Sequence, residues 1–118
     1  RDFVAQHWLT VPNPGPEGEL HSHHLTVEVE VEGSQVGEYG YLVDIDDLKT
    51  VVDALVDRYR DATLNDLPEF EGLNPSVEHF SRFFAERVAD GIETDRLDAI
   101  EVTMWEEDAA AASYATTV

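Results

Sequence analysis

From Leu25 to Glu32 the chain alternates apolar and polar residues without a break, Leu-Thr-Val-Glu-Val-Glu-Val-Glu. A strict period of two predicts a half-buried strand over 25–32, with Leu25, Val27, Val29 and Val31 on the buried face and the acids turned away. An earlier extended segment over 3–9 places Phe3, Ala5, His7 and Leu9 on one side in the same way. The period then lengthens. Leu48, Val51, Val52, Leu55, Val56 and Tyr59 recur at helical spacing behind Asp46 as a cap, which predicts an amphipathic helix. A second helix is predicted to open at Asn74-Pro75, run through Val77, Phe80, Phe84 and Val88, and stop at Gly91. Ile100, Val102 and Met104 alternate with Glu101, Thr103 and Trp105 as another strand, 112–118 forms a last one, and Tyr39 to Val43 is a further candidate strip. Pro12-Asn13-Pro14-Gly15-Pro16 forbids regular structure and predicts a long loop between the first two strands. Two strands, two helices and two strands imply an α+β fold, a four-stranded antiparallel sheet with both helices on one face.

The candidate chemistry lies in the same pattern. His21-Ser22-His23 opens the alternating run, and residues two apart on a strand share a face, so His21 and His23 continue the line of Leu25 and Val27. His7 has the core-facing parity of the preceding strand. Antiparallel pairing of the two strands would bring three imidazoles together, and three histidines with an open fourth position make a catalytic zinc site. His24 has the opposite parity, that of a solvent or supporting residue. His79, on the second helix, has the place of an ordinary surface or half-buried histidine.

Composition narrows the function classes. At 118 residues the chain is expected to be one domain, 1–118, small enough that a neighbouring subunit could complete its pockets. Its 26 acidic residues against 7 basic ones give a formal net charge of -19, and Lys49 is the only lysine. Nucleic acid and anionic membrane surfaces, which need clustered Lys and Arg, are excluded as partners. Acids spread over the outward positions of periodic elements, with lysine almost eliminated, match a cytoplasmic protein from a salt-loving organism, where screening shortens charge repulsion. No apolar run approaches a membrane span, and Arg1-Asp2-Phe3 lacks the features of a signal peptide, so a soluble cytoplasmic protein is expected. The chain begins inside its first predicted strand, so residues are expected to precede Arg1. With no cysteine, disulfides, thiolate ligands and a cysteine nucleophile are ruled out.

Six short tags follow one another along the chain. They are Phe3-Val4-Ala5-Gln6-His7, Leu20-His21-Ser22-His23, Gly40-Tyr41-Leu42-Val43-Asp44 with Asp47-Leu48-Lys49, Leu64-Asn65-Asp66, Asn74-Pro75-Ser76-Val77-Glu78 and Trp105-Glu106. In this order they resemble the 6-pyruvoyl-tetrahydropterin synthase and 6-carboxytetrahydropterin synthase family over nearly the whole chain. The resemblance implies a tunnelling fold, in which trimers close into barrels, two trimers stack as a homohexamer, and active sites lie at subunit interfaces. It also implies that His7, His21 and His23 hold Zn2+ and that Glu106 anchors a small-molecule pterin, its carboxylate accepting from the paired N–H donors of the ring. Ser76 and Glu78 match the segment near the substrate, and either could equally serve the start of the second helix.

Two departures from the family pattern concern the proton chemistry. The family's cysteine, four residues before the first histidine of the His-x-His pair, is replaced by Glu17. Relatives with glutamate there resemble the branch that cleaves the side chain of dihydroneopterin to 6-hydroxymethyl-dihydropterin. Two roles are open to Glu17, a general base in a pocket beside zinc or a solvated loop acid. Where the family has Asp-His before the Leu-Asn-Asp tag, this chain has Arg60-Asp61. Asp61 could carry the proton or simply end the helix. The resemblance therefore implies a zinc-dependent lyase acting on dihydroneopterin or its triphosphate, in pterin, folate-type or deazapurine biosynthesis. The alternative is a non-catalytic relative that keeps metal and pterin binding.

Overall fold

The computed structural model describes all 118 residues. The elements in order are β1 (Asp2–His7), β2 (His21–Glu32), α1 (Ile45–Tyr59), α2 (Val77–Gly91), β3 (Ala99–Glu106) and β4 (Ala110–Thr117), with short 3-10 turns at Gly15–Gly18, Leu64–Asp66 and Pro68–Phe70. The strands form one antiparallel sheet in the order β1-β2-β3-β4. Both helices lie on one face. Phe3, Ala5, Leu25, Val27, Ile100, Val102 and Met104 point from the sheet into the core, where they meet Leu48, Val52, Val56, Tyr59, Phe80, Phe84 and Val88 from the helices. Period two on the strands and the helical stripe therefore bury the same apolar set, which gives the four-stranded sheet with two helices on one face expected from the pattern and the subunit that the family resemblance implies.

Several boundaries differ from those the sequence predicts, each for a local reason. Tyr39–Val43 is not a strand: Gly40 has φ +86°, the Gly37 N–H donates to the Tyr41 carbonyl at 2.9 Å, and the resulting turn leaves Tyr39 81% exposed. Asp44 rather than Asp46 caps α1, because its Oδ1 accepts from the N–H groups of Asp46 (2.9 Å) and Asp47 (3.4 Å). Ser76 rather than Asn74 caps α2, its Oγ accepting from His79 N–H at 3.2 Å. β1 ends at His7, so Leu9 lies outside the strand, and β2 begins four residues earlier than its alternating apolar run, at His21.

The free side of β1 is covered from within the chain. Asp61 N–H donates to Val4 O at 2.6 Å and Gln6 N–H to Ala62 O at 2.9 Å. Beyond the strand's end, Asn65 takes both main-chain groups of Trp8, its Oδ1 accepting at 3.0 Å and its Nδ2 donating at 2.9 Å, and the Asn74 Oδ1 accepts from Thr10 N–H at 2.9 Å. Two stretches of strand edge stay open. One is the outer side of β4; the other is the second half of β2, since β1 pairs only with residues 21–26. Val27 N–H still meets Arg1 O at 2.8 Å, but Val29 and Val31, whose main-chain groups face the same way, lie past the end of β1.

A charged knot ties the helices together. Glu69 is almost buried, its side chain 6% exposed. It accepts from Arg58 Nη2 (2.8 Å), Arg58 Nε (3.2 Å) and Tyr59 Oη (2.8 Å), with Arg87 Nη2 at 3.1 Å. Burial alone would raise its pKa, but the Arg58 and Tyr59 donors and the Arg87 charge outweigh that and hold it down at about 2. Burial and the neighbouring Glu69 carboxylate push the Tyr59 phenol well up. Glu69→Ala leaves two guanidinium groups and a buried phenol without their acceptor, and should cost about 2–3 kcal/mol in urea unfolding at neutral pH. Because the folded pKa lies below the unfolded value of about 4.3, this stabilisation is complete above that pH and is lost as pH falls toward about 2. The gap between wild type and Glu69→Gln should therefore shrink over that window.

Candidate metal centre and active site

Three strand ends meet at one margin of the core face. In the β1–β2 register His7 stands directly opposite His21, and Ala5 opposite His23. Period two then puts all three imidazoles on the helix-covered side, in line with Phe3, Ala5 and Leu25. β3 runs antiparallel to β2 and ends its own inward row of Ile100, Val102 and Met104 with Glu106, paired with Leu25. The apolar rows of three strands thus give way to three histidines and a carboxylate at the same end of the sheet.

The imidazoles form a nearly equilateral, mutually perpendicular set. Ring centroids are 4.7, 5.0 and 4.8 Å apart, with interplanar angles of 72°, 82° and 86°. Each Nδ1 is taken by an acceptor: the Pro75 carbonyl for His7 at 2.9 Å, the Glu19 carbonyl for His21 at 2.8 Å, and the Glu107 carboxylate for His23 at 3.2 Å. A carbonyl can only accept, so Nδ1 of His7 and His21 carries the hydrogen and Nε2 is left with its lone pair. The Nε2 atoms of His21 and His23 are buried and have no hydrogen-bond partner. One nitrogen from each ring lies within 4.8 Å of the others. Unpaired buried acceptors cost about 1–3 kcal/mol each, and three neutral imidazoles with Nδ1 anchored and Nε2 converging are the donor set that a divalent borderline metal takes. The residues present therefore fit a metal ion.

Burial is the main reason the His7 pKa is lowered; the two neighbouring imidazoles act in the same direction, while the Pro75 carbonyl and the Glu17 carboxylate act against it. The effect favours neutral His7, the form a metal requires. The charge of Glu17 is among those that act on His7. Glu17 sits exposed on the Gly15–Gly18 turn, whose place is fixed by a hydrogen bond from Leu9 N–H to Glu17 O at 2.9 Å. Gly18 packs so tightly on Pro14 that a Cβ there would lie 2.5 Å from the ring Cγ.

Glu106 also joins the cluster, with Oε1 3.5 Å from His23 Nε2. Ser76 and Glu78 do not line the cleft beside the histidines, which is walled instead by Pro75 and Val77. The Ser76 hydroxyl is used as the helix cap, and Glu78 is exposed in the first turn of α2. Asp61 lies at the outer side of β1, beside Val4 and three residues along the strand from His7, with φ +58°. Within one chain it is not brought to the cluster. His24 faces away from the core, and His79 is held by the Asn74 carbonyl at 3.0 Å.

The cleft itself has a volume of about 10 Å³, which is room for a single water and not for a bicyclic ring. The largest cavity, about 470 Å³, lies elsewhere, between the start of α1 and the segment after α2; it contains Tyr41, Asp44 and Arg96 but no histidine. Chemistry rather than size marks the site.

The profile of the family described as 6-pyruvoyl tetrahydropterin synthase matches residues 1–117. The chain belongs to this family. Among its relatives, a protein from Archaeoglobus fulgidus provisionally described as a 6-carboxy-5,6,7,8-tetrahydropterin synthase is 32% identical over 100 residues, covering 84% of this chain and 81% of the relative. The dihydroneopterin monophosphate aldolase of Pyrococcus furiosus is 32% identical over 88 residues, 75% of this chain and 71% of that enzyme. The fold matches the 6-pyruvoyl tetrahydropterin synthase of Caenorhabditis elegans with a TM-score of 0.83 at 18% identity, over 99% of this chain and 91% of that one. It also matches the Plasmodium vivax enzyme, solved as a variant in which a catalytic glutamate is replaced by alanine, with a TM-score of 0.82 at 16% identity, over 99% and 92% of the two chains. The Leu64-Asn65-Asp66 tag and Asn74-Pro75 have a plain structural meaning in this chain, since Asn65 and Asn74 clip the chain after β1 and Pro75 anchors His7. Reading the sequence alone missed Glu107, because only the β3–β4 turn shows that it reaches back to His23.

Proposed function

We propose that this protein is a zinc-dependent lyase that cleaves the side chain of a dihydropterin, dihydroneopterin or one of its phosphate esters. The observation that carries this reading is the convergence of three imidazoles, each with its Nδ1 already hydrogen-bonded and two with a buried, unpartnered Nε2, beside the Glu106 carboxylate. His7, His21 and His23 would hold the ion, which would supply a Lewis acid for the side-chain oxygens. Glu106 holds the pterin ring through its paired N–H donors. Glu17 takes the proton from the hydroxyl on the outer side-chain carbon, which leaves as an aldehyde while the electron pair of the broken carbon–carbon bond passes into the ring imine and the inner carbon is reprotonated; this part is supported by the effect of the Glu17 charge at His7 and by the catalytic glutamate of the Plasmodium vivax relative. The names of both archaeal relatives, a tetrahydropterin synthase and a dihydroneopterin monophosphate aldolase, support the substrate class. A cleft too small for a pterin in one chain supports a homo-oligomer, a hexamer of two stacked trimers, in which a neighbour completes the pocket and the open edges of β2 and β4 pair between subunits. Asp61, remote from its own chain's histidines, would then serve a neighbour's site.

Metal analysis should find one zinc per subunit in the wild-type protein and none retained in His21→Ala or His23→Ala; full stoichiometry in both variants would sink the ligand assignment. Turnover is read by chromatography after incubation with dihydroneopterin, its monophosphate and its triphosphate in molar potassium chloride. Glu17→Gln should bind zinc and pterin while slowing turnover by about 10²–10⁴-fold, the loss expected for a general base. Wild-type turnover in that variant would make Glu17 a loop acid. Pterin binding without turnover of any of the three by the wild-type protein would favour the non-catalytic relative. Light scattering in the same buffer should give a mass well above one chain, and a monomer would contradict the shared pocket.

A further inference from the structure

The three histidines differ in what holds them. Pro75 and Glu19 hold His7 and His21 through main-chain carbonyls, which any side chain at those positions would supply. Only His23 depends on a side chain, that of Glu107. Glu107 is the first residue of the three-residue turn between β3 and β4, and its φ of +55° is left-handed. That conformation costs a residue with a Cβ about 1–2 kcal/mol and would suit glycine. The strain buys a particular geometry. Glu107 N–H donates to His24 O at 2.8 Å, its Oε1 accepts from His24 N–H at 3.0 Å, and the same Oε1 lies 3.2 Å from His23 Nδ1. Glu107 is thus held to the main chain of His24 at two points, by its own N–H and by its carboxylate, and the carboxylate is kept beside the His23 ring. Glu106, its neighbour in sequence, lies on the other side of the same ring, 3.5 Å from Nε2.

We propose that Glu107 is a positioning residue for the metal centre: its carboxylate holds the hydrogen of His23 on Nδ1 and fixes the ring so that Nε2 presents its lone pair to the ion. The inference rests on the proposed metal-binding role of the three histidines and adds a residue that does not itself touch metal or substrate. A carboxylate behind a ligating imidazole also makes that imidazole a better donor, and loss of such a partner weakens metal binding about 10–100-fold. Glutamine keeps an acceptor oxygen of the same reach, so Glu107→Gln preserves the ring's orientation.

The test is zinc affinity, measured by competition with a chromophoric chelator, in wild type, Glu107→Ala, Glu107→Gln and Asp108→Ala. Asp108 is the exposed neighbour whose loss removes the same charge without touching His23. Glu107→Ala should bind zinc about 10–100-fold more weakly, Glu107→Gln should recover most of the loss, and Asp108→Ala should match wild type. Equal affinity in wild type and Glu107→Ala, or an equal loss in Asp108→Ala, would overturn the proposal. Nitrogen-15 NMR of metal-free wild type at mildly alkaline pH provides a second readout that needs no variant to fold: the His23 hydrogen should be on Nδ1, and finding it on Nε2 would refute the role. A wild-type protein that binds no zinc while showing the Nδ1 tautomer would refute the metal reading and with it the purpose assigned to Glu107, whereas zinc binding with the Nε2 tautomer would refute Glu107 alone.

Discussion

The site depends on one register, the antiparallel pairing that sets His7 opposite His21. A slip of one residue would turn His7 to the helix-free face, because side chains alternate strictly along a strand. Interactions on both sides of β1 prevent the slip. On the inner side Phe3 and Ala5 pack beside Leu25 in the core, where Phe3 meets the Phe80 ring edge-on at 5.9 Å. On the outer side Val4 and Gln6 bind the main chain at 61–62, and Asn65 and Asn74 clip the residues that follow the strand. The segment between α1 and α2, which looks like a mere connector, therefore serves to hold a ligand-bearing strand in place.

The end of a buried strand face is a suitable place for these histidines. There the sheet still shields them, with His7 only 6% exposed, while main-chain carbonyls at the strand and helix ends have no ladder partner and are free to accept from Nδ1. The cost of the arrangement is borne locally, as two unpartnered buried nitrogens and a glutamate in left-handed conformation. Elsewhere such breaches are scattered, with Asn13 and Asp61 left-handed and Arg82 Nε and Trp105 Nε1 without a hydrogen-bond partner. Only at the histidines do both kinds gather around one group of side chains, and such a cluster is where function is expected.

Charge is distributed with a similar economy. Arg58 and Arg87 are committed to Glu69, Arg1 to Asp53 and Arg60 to Asp57, so few of the seven cations are free of a carboxylate. The Glu69 knot differs from the surface pairs because its carboxylate is almost fully buried. It links both helices to the Pro68–Phe70 turn in the segment between them.

Much of this was legible in the chain itself. Period two and period 3.6 mark the strands and helices because burial on one face is a local, repeating demand, and the same parity places His7, His21 and His23 on the core face. Strand and cap boundaries were less legible: Asp44 and Asp46, or Asn74 and Ser76, are all competent caps, and only the packed helix decides which oxygen meets the free N–H groups. Tyr39–Val43 had the composition of a strand but no neighbouring strand to pair with. The partners of the three Nδ1 atoms were not legible at all. Two are main-chain carbonyls, which have no sequence signature, and the third is a glutamate 84 residues from its histidine, brought there by a left-handed turn. Periodicity determines which face a side chain takes; only tertiary structure brings distant residues within hydrogen-bond reach, because that distance depends on register and turn geometry and not on residue type.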